Sequence, residues 1–148
     1  MPSQEEQRRA ARIKFHAADH LEVHYKFLTH LEDYQCDQIF KGVVANLSKG
    51  GALFVGPIPG PEWLEHLNTG SVLIGLNIMS PEDRIKALTS LRWTQPVKAH
   101  EYGLSQDEPC YELGVRFEQI DPLHRNTLSK FLIGHQMRTG RQRREPAD

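Results

Sequence analysis

The chain has 148 residues, and its 39% hydrophobic and 25% charged content fits one globular domain with a core rather than a disordered or fibrous protein. A formal net charge of -1 removes any argument for bulk attraction to nucleic acid or membrane, so charge has to be read locally. Cys36 and Cys110 match no metal or redox spacing and suggest a reducing compartment, the first residues carry no signal-peptide pattern, and no apolar run approaches the roughly 20 residues of a membrane span; a cytoplasmic protein is expected.

Residues 1–14 read as a flexible arm bearing Arg8, Arg9, Arg12 and Lys14. From Leu21 the pattern has period two, with Leu21, Val23, Tyr25 and Phe27 against Glu22, His24 and Lys26, which predicts a half-buried strand. After a polar connection, residues 39–47 form a second strand candidate and 52–55 a third. Between them, Asn46-Leu47-Ser48-Lys49-Gly50-Gly51 has turn chemistry. The run Gly56-Pro57-Ile58-Pro59-Gly60-Pro61 is expected to stop the third strand, because proline cannot donate to a ladder.

Residues 62–67 suit one helical turn and 71–79 a fourth strand, closed by a turn at Ser80-Pro81-Glu82-Asp83. A fifth strand over 85–95 has Leu88, Leu91, Trp93 and Val97 as apolar markers, and 100–109 is a polar loop. Residues 111–120 alternate again, Tyr111, Leu113, Val115 and Phe117 against Glu112, Gly114, Arg116 and Glu118. Asp121-Pro122 then supplies a helix N-cap and first-turn proline, and Leu123, Thr127, Leu128, Phe131, Leu132 and His135 make one apolar stripe. Residues 136–148 are a basic tail. The order predicts an all-β domain over 15–135, an antiparallel barrel or sandwich with a C-terminal helix.

Two segments carry chemistry. Arginines bunched on an arm suit a planar anionic ligand, since guanidinium groups bond phosphate and the guanine edge bidentately and stack on rings. A solvated basic tail is the plainer reading. Asn46 and Ser48, two apart in an extended backbone, share a face and offer donors and acceptors, while Gly50 and Gly51 allow a turn or a close approach. A polar hairpin is the plainer reading there.

Taken together, Arg8-x-x-x-Arg12, then residues 13–45, then Asn46-x-Ser48-x-x-Gly51 resembles the paired signature of the PilZ domain family, which binds cyclic di-GMP. Gly42-Val43-Val44-Ala45, Gly51-Ala52-Leu53-Phe54-Val55, Leu91-Arg92-Trp93 and Leu113-Gly114-Val115-Arg116-Phe117 look like the family's strands in order, so the likeness covers residues 8–133. It departs at the prolines of 57–61, the 96–110 connection and the tail. The resemblance implies a six-stranded antiparallel barrel, with an arm that clamps the ligand through Arg8 and Arg12, Arg9 being an adjacent extra, Asn46 and Ser48 reading a guanine edge, and Gly51, with Gly50 beside it, giving room for it. Trp93 and Arg116 are further candidate ligand neighbours. It implies a ligand-gated adaptor that passes the signal to a protein partner, as monomer or homodimer, and not an enzyme.

The alternative is a PilZ-like protein-interaction module without ligand. A nucleic-acid-binding barrel would want exposed stacking aromatics, and the aromatics here mostly follow the inward pattern. No cofactor is expected. No metal is expected either: His16, His20 and His24 would share a helix face, but on a strand the outer two stand roughly 26 Å apart.

Overall fold

A computed structural model describes residues 13–14, 21–81, 83–104 and 109–144, without the side chains of 13–14 and 136–144. Seven strand segments are present: β1 (Ile13–Lys14), β2 (Leu21–Thr29), β3 (Phe40–Leu47), β4 (Gly51–Pro57), β5 (Val72–Met79), β6 (Arg84–Val97) and β7 (Cys110–Gln119). Helix α1 (Leu64–Thr69) follows a 3-10 turn, and α2 (Pro122–Arg144) ends the fold. All pairings are antiparallel. The ladder runs β3-β2-β5-β6-β7-β4 and closes through β3–β4, making a six-stranded barrel with a C-terminal helix. Closure leaves no open sheet edge among these six strands. β1 adds beside β3, taking up residues 46–47 where β2 leaves off at Val44.

The barrel forms because period-two runs put one face of every strand inside. Val23, Tyr25 and Phe27 on β2 are at most 3% exposed, and Val72, Ile74, Leu76 and Ile78 on β5 likewise. Tyr25 centres an aromatic cluster, 4.8 Å from Phe54 and 5.7 Å from Phe40 by ring centroids, with Phe27 at 5.8 Å. Its hydroxyl donates to the Pro57 carbonyl, which satisfies the one polar atom this ring takes inside. Trp63, carried by the 3-10 turn, extends the cluster at 5.9 Å from Phe27.

Three sequence expectations shift. β4 does not stop at Val55 but runs through Gly56 and Pro57, paired with Tyr111 and Cys110. Proline is tolerated because it takes the last rung, where a missing donor ends the ladder instead of interrupting it. On α2, Leu128, Phe131 and Leu132 are buried, but Leu123 is 70% exposed, so the packed face begins one turn later than the stripe suggested. The Asp121 carbonyl accepts from Arg125 N–H at 2.8 Å, consistent with Asp121 preceding the first helical residue. The helical backbone continues through Arg144, into the stretch read as a tail. Arg8, Arg9 and Arg12, with His16 and His20, lie outside the described residues, and His24 stands on β2.

At one end of the barrel, the Tyr102 hydroxyl donates to Glu112 Oε1, while Gln95 Nε2 donates to Glu112 Oε2 at 2.7 Å. Burial, then the Glu112 bond and charge, then the Glu101 charge push the phenol from 10.0 up to about 12. A raised folded value favours the neutral phenol, so its stabilising contribution is complete below pH 10 and is lost as pH rises through about 12. An ultraviolet absorbance titration should therefore show a late-ionising tyrosine that moves down in Glu112→Gln. An unmoved late step in that variant would contradict the assignment.

Candidate ligand-binding site

The β3–β4 hairpin is closed at its tip by Ser48, whose N–H donates to the Gly51 carbonyl at 3.0 Å and whose hydroxyl donates to the same oxygen at 3.3 Å. Phe117 N–H donates to the Gly50 carbonyl at 2.8 Å, tying the turn to β7. A Cβ on Gly51 would come 2.2 Å from the Val115 carbonyl oxygen. Glycine is needed there because β4 and β7 cross closely. Glycine here serves the strand crossing first, and only through it the shape of the surface outside.

Two β-bulges aim the side chains around this tip. In β3, Val44 pairs with Phe54 and Asn46 with Leu53, so Ala45 is an extra residue with no partner. Phe40 and Val44 face the core at 4% and 0% exposure. Strict alternation would then bury Asn46. The extra residue flips the phase, so that Leu47 is at 0% and Asn46 faces out. The same device acts in β6, where Leu91 pairs with Val115 and Trp93 with Gly114, leaving Arg92 extra. Ile85, Ala87, Thr89 and Leu91 are buried, but Trp93 is turned outward and is 37% exposed. Of this strand's apolar markers, Leu91 is thus buried, while Trp93 is turned out and Leu88 falls between the buried positions.

The result is a cleft of about 310 Å³ at which Asn46, Ser48, Gly50 and Gly51 meet Arg92, Trp93 and Arg116. That volume is at the low end of small-molecule pockets, roughly 300–1,000 Å³. No carboxylate is among the described residues that line the cleft. Arg116 Nε stands 3.9 Å from Glu118 Oε1, an exposed pair of little energetic weight, and Glu118 Oε1 also accepts from Ser90 Oγ at 2.6 Å. Asn46 Oδ1 is shielded from water and has no hydrogen-bond partner among the described residues. Such an acceptor costs about 1–3 kcal/mol until something donates to it.

The cleft thus offers two guanidinium groups, an indole, an amide and a hydroxyl, a set suited to a planar anionic molecule with hydrogen-bonding edges. β1 brings the chain to the same place. Ile13 pairs with Leu47 and Lys14 with Asn46, so going backwards from Lys14 the strand heads towards Ser48.

Sequence reasoning gave Arg92 no role and gave Gly114 none beyond its place on the outer face of a strand. Gly114 makes room for the indole: a Cβ there would stand 2.3 Å from Trp93 Nε1 and 2.7 Å from Cδ1. No local signal marked it, because Leu91 and Trp93 keep the alternation in sequence and the bulge exists only relative to Val115 and Gly114 on β7. Gly114→Ala should displace the indole and cost about 1–3 kcal/mol of stability by overpacking. Acrylamide quenching of tryptophan emission should rise, since the other tryptophan, Trp63, is only 5% exposed. Unchanged quenching would show that the indole does not rest on Gly114.

The PilZ domain family model matches residues 6–134. No curated protein matches the chain by sequence. Among solved structures, the PilZ domain of YcgR from Escherichia coli with c-di-GMP superposes with a TM-score of 0.55 at 15% identity, over 90% of this chain and 94% of that one. The MrkH–c-di-GMP complex of K. pneumoniae gives 0.58 at 14% identity, over 88% of this chain and 52% of that one. Bacillus subtilis MotI/DgrA, an inhibitor of motility, gives 0.56 at 17% identity, over 93% and 57%. The chain therefore spans about half the length of MrkH and MotI. At these identities the structures speak to fold, and the family match speaks to descent: the chain belongs to the PilZ domain family.

Proposed function

We propose that the chain is a receptor for cyclic di-GMP, a binding protein rather than an enzyme, which acts in the cytoplasm as a ligand-gated adaptor. One observation carries the reading. The Asn46-x-Ser48-x-x-Gly51 turn, Trp93 and two arginines converge on one cleft with no carboxylate among its described lining residues, beside the strand that immediately follows Arg12. Arg12 is one peptide link from Ile13. Arg8 is five residues upstream of Ile13, so its Cα lies within roughly 18 Å of it by covalent reach alone. Both arginines can therefore serve the cleft.

In this reading Arg8, Arg9 and Arg12 supply phosphate and guanine contacts, and Asn46 and Ser48 read a base edge. Trp93 offers a stacking face, and Arg92 and Arg116 add positive charge. That YcgR and MrkH are solved with c-di-GMP supports the choice of ligand. No helix among the described residues is long and apolar enough to cross a membrane, which is compatible with a cytoplasmic role.

Calorimetric titration with cyclic di-GMP, with GTP and cyclic GMP as controls, tests the proposal. Saturable binding of the cyclic dinucleotide alone is expected, and equal or absent binding of all three would remove it. If ligand orders the arm, amides of residues 8–12 should gain protection from hydrogen exchange when it is added. Binding without that gain would leave the receptor and dismiss the switch.

A further inference from the structure

A second concavity, about 730 Å³, lies where the outer faces of β2, β5 and the first half of β6 meet the start of α2. β6 separates it from the nucleotide cleft: Arg84, Lys86, Ala87 and Leu88 line one and Arg92 and Trp93 the other. Its floor is low because Gly75 has no side chain, and Leu28 and Lys26 flank the gap, 3.5 and 3.9 Å from where a Cβ would stand. Leu28 is 38% exposed and Ile39 is 63% exposed, so two aliphatic side chains on this wall face water. Lys26, Arg84 and Lys86 ring the same hollow, and among the described residues none of them has an ion-pair partner. Asp121 is the one carboxylate among the described lining residues.

Two polar atoms there also lack partners. His24 and Asn77 face one another across β2 and β5, and His24 Nε2 and Asn77 Oδ1 are shielded with no hydrogen bond among the described residues. His24 Nε2 has only a 3.5 Å approach to Glu22 Oε2. A wall that combines exposed aliphatics with cations and polar atoms lacking partners among the described residues is that of a binding surface, since a monomer gains nothing from keeping all three.

We propose that this hollow docks an acidic, aliphatic-bearing segment of a partner protein. Charge complementarity selects carboxylates for Lys26, Arg84 and Lys86, and Leu28 and Ile39 select aliphatic side chains between them. Nucleic acid would match the cations but would leave the aliphatics against sugar and phosphate, and among the described lining residues the one phenyl or indole-type ring, that of Tyr25, is buried and offers no stacking face. The inference stands whether or not the other cleft binds cyclic di-GMP.

A displayed library of random dodecapeptides, selected on the whole ligand-free protein, tests it. The selected peptides are then measured by fluorescence anisotropy against wild type, the Arg84→Glu/Lys86→Glu variant and Gly75→Val. The last fills the floor at a position where a Cβ meets only ordinary contacts, so it keeps the test valid if the charge variant folds poorly. Acidic peptides with at least two aliphatic residues are expected, bound about tenfold or more weakly by each variant. The proposal is overturned if the selected peptides are basic or uncharged, or if both variants bind as wild type does. It is equally overturned if a short DNA duplex competes for the hollow, or if sedimentation shows copies associating there and separating in Ile39→Glu.

Discussion

Arg8→Ala and Arg12→Ala should each weaken cyclic di-GMP binding roughly tenfold to more than a hundredfold, because a charge-assisted hydrogen bond contributes about 1.5–3 kcal/mol and each 1.4 kcal/mol is a factor of ten. The loss should exceed that of Asn46→Ala or Ser48→Ala on the barrel wall. Asn46 and Ser48 offer neutral hydrogen bonds, worth about half as much, and Ser48 already spends its hydroxyl proton on the Gly51 carbonyl. The arginines also supply charge to a ligand carrying two phosphates, in a cleft whose own wall has only Arg92 and Arg116. Since electrostatic attraction between solvated charges is screened by salt, the wild-type affinity should fall as salt rises, and the two variants should show a shallower dependence. Calorimetric titration at two salt concentrations reads both effects. Unchanged affinity in both single variants would refute the arm as a ligand clamp.

The sequence made some of this legible and hid the rest for a definite reason. Val23, Tyr25 and Phe27 on β2, and Leu113, Val115 and Phe117 on β7, lie in unbroken period-two runs, and those runs report their own inner face. The barrel class followed from several such runs in succession and one helix at the end. Bulges are different. An extra residue is extra only relative to the partner strand, so Ala45 is defined by Phe54 and Leu53, and Arg92 by Val115 and Gly114. Both sets of partners are distant in sequence.

Asn46 and Ser48 were assigned to one face from local spacing, which holds on the far side of the bulge. What spacing could not say was that this face is the outer one. Trp93 reads as an inner residue in any strict alternation with Leu91, and only the insertion at Arg92 turns it out. Pro57 misled in the opposite way. A local rule against proline in strands does not know that the residue will occupy a ladder's last rung.

Deleting Ala45 should leave a folded barrel that binds cyclic di-GMP several-fold to about tenfold more weakly, while Ala45→Ser should leave binding nearly unchanged. Without the extra residue, Val44–Phe54, Asn46–Leu53 and Leu47–Ala52 become consecutive rungs. Strict alternation from Val44 then keeps Asn46 outward and Leu47 inward, so the core is retained and denaturant unfolding should show little loss of stability. What the deletion removes is the bend and added twist that the bulge gives the strand just before the hairpin tip. Asn46 then meets the cleft at a different angle, and one neutral hydrogen bond to the ligand, worth about 0.5–1.5 kcal/mol, is lost. The serine variant separates side chain from count, since it keeps the extra residue and changes only what it carries. A deletion variant that binds with wild-type affinity would show that the bulge does not aim Asn46 at the ligand.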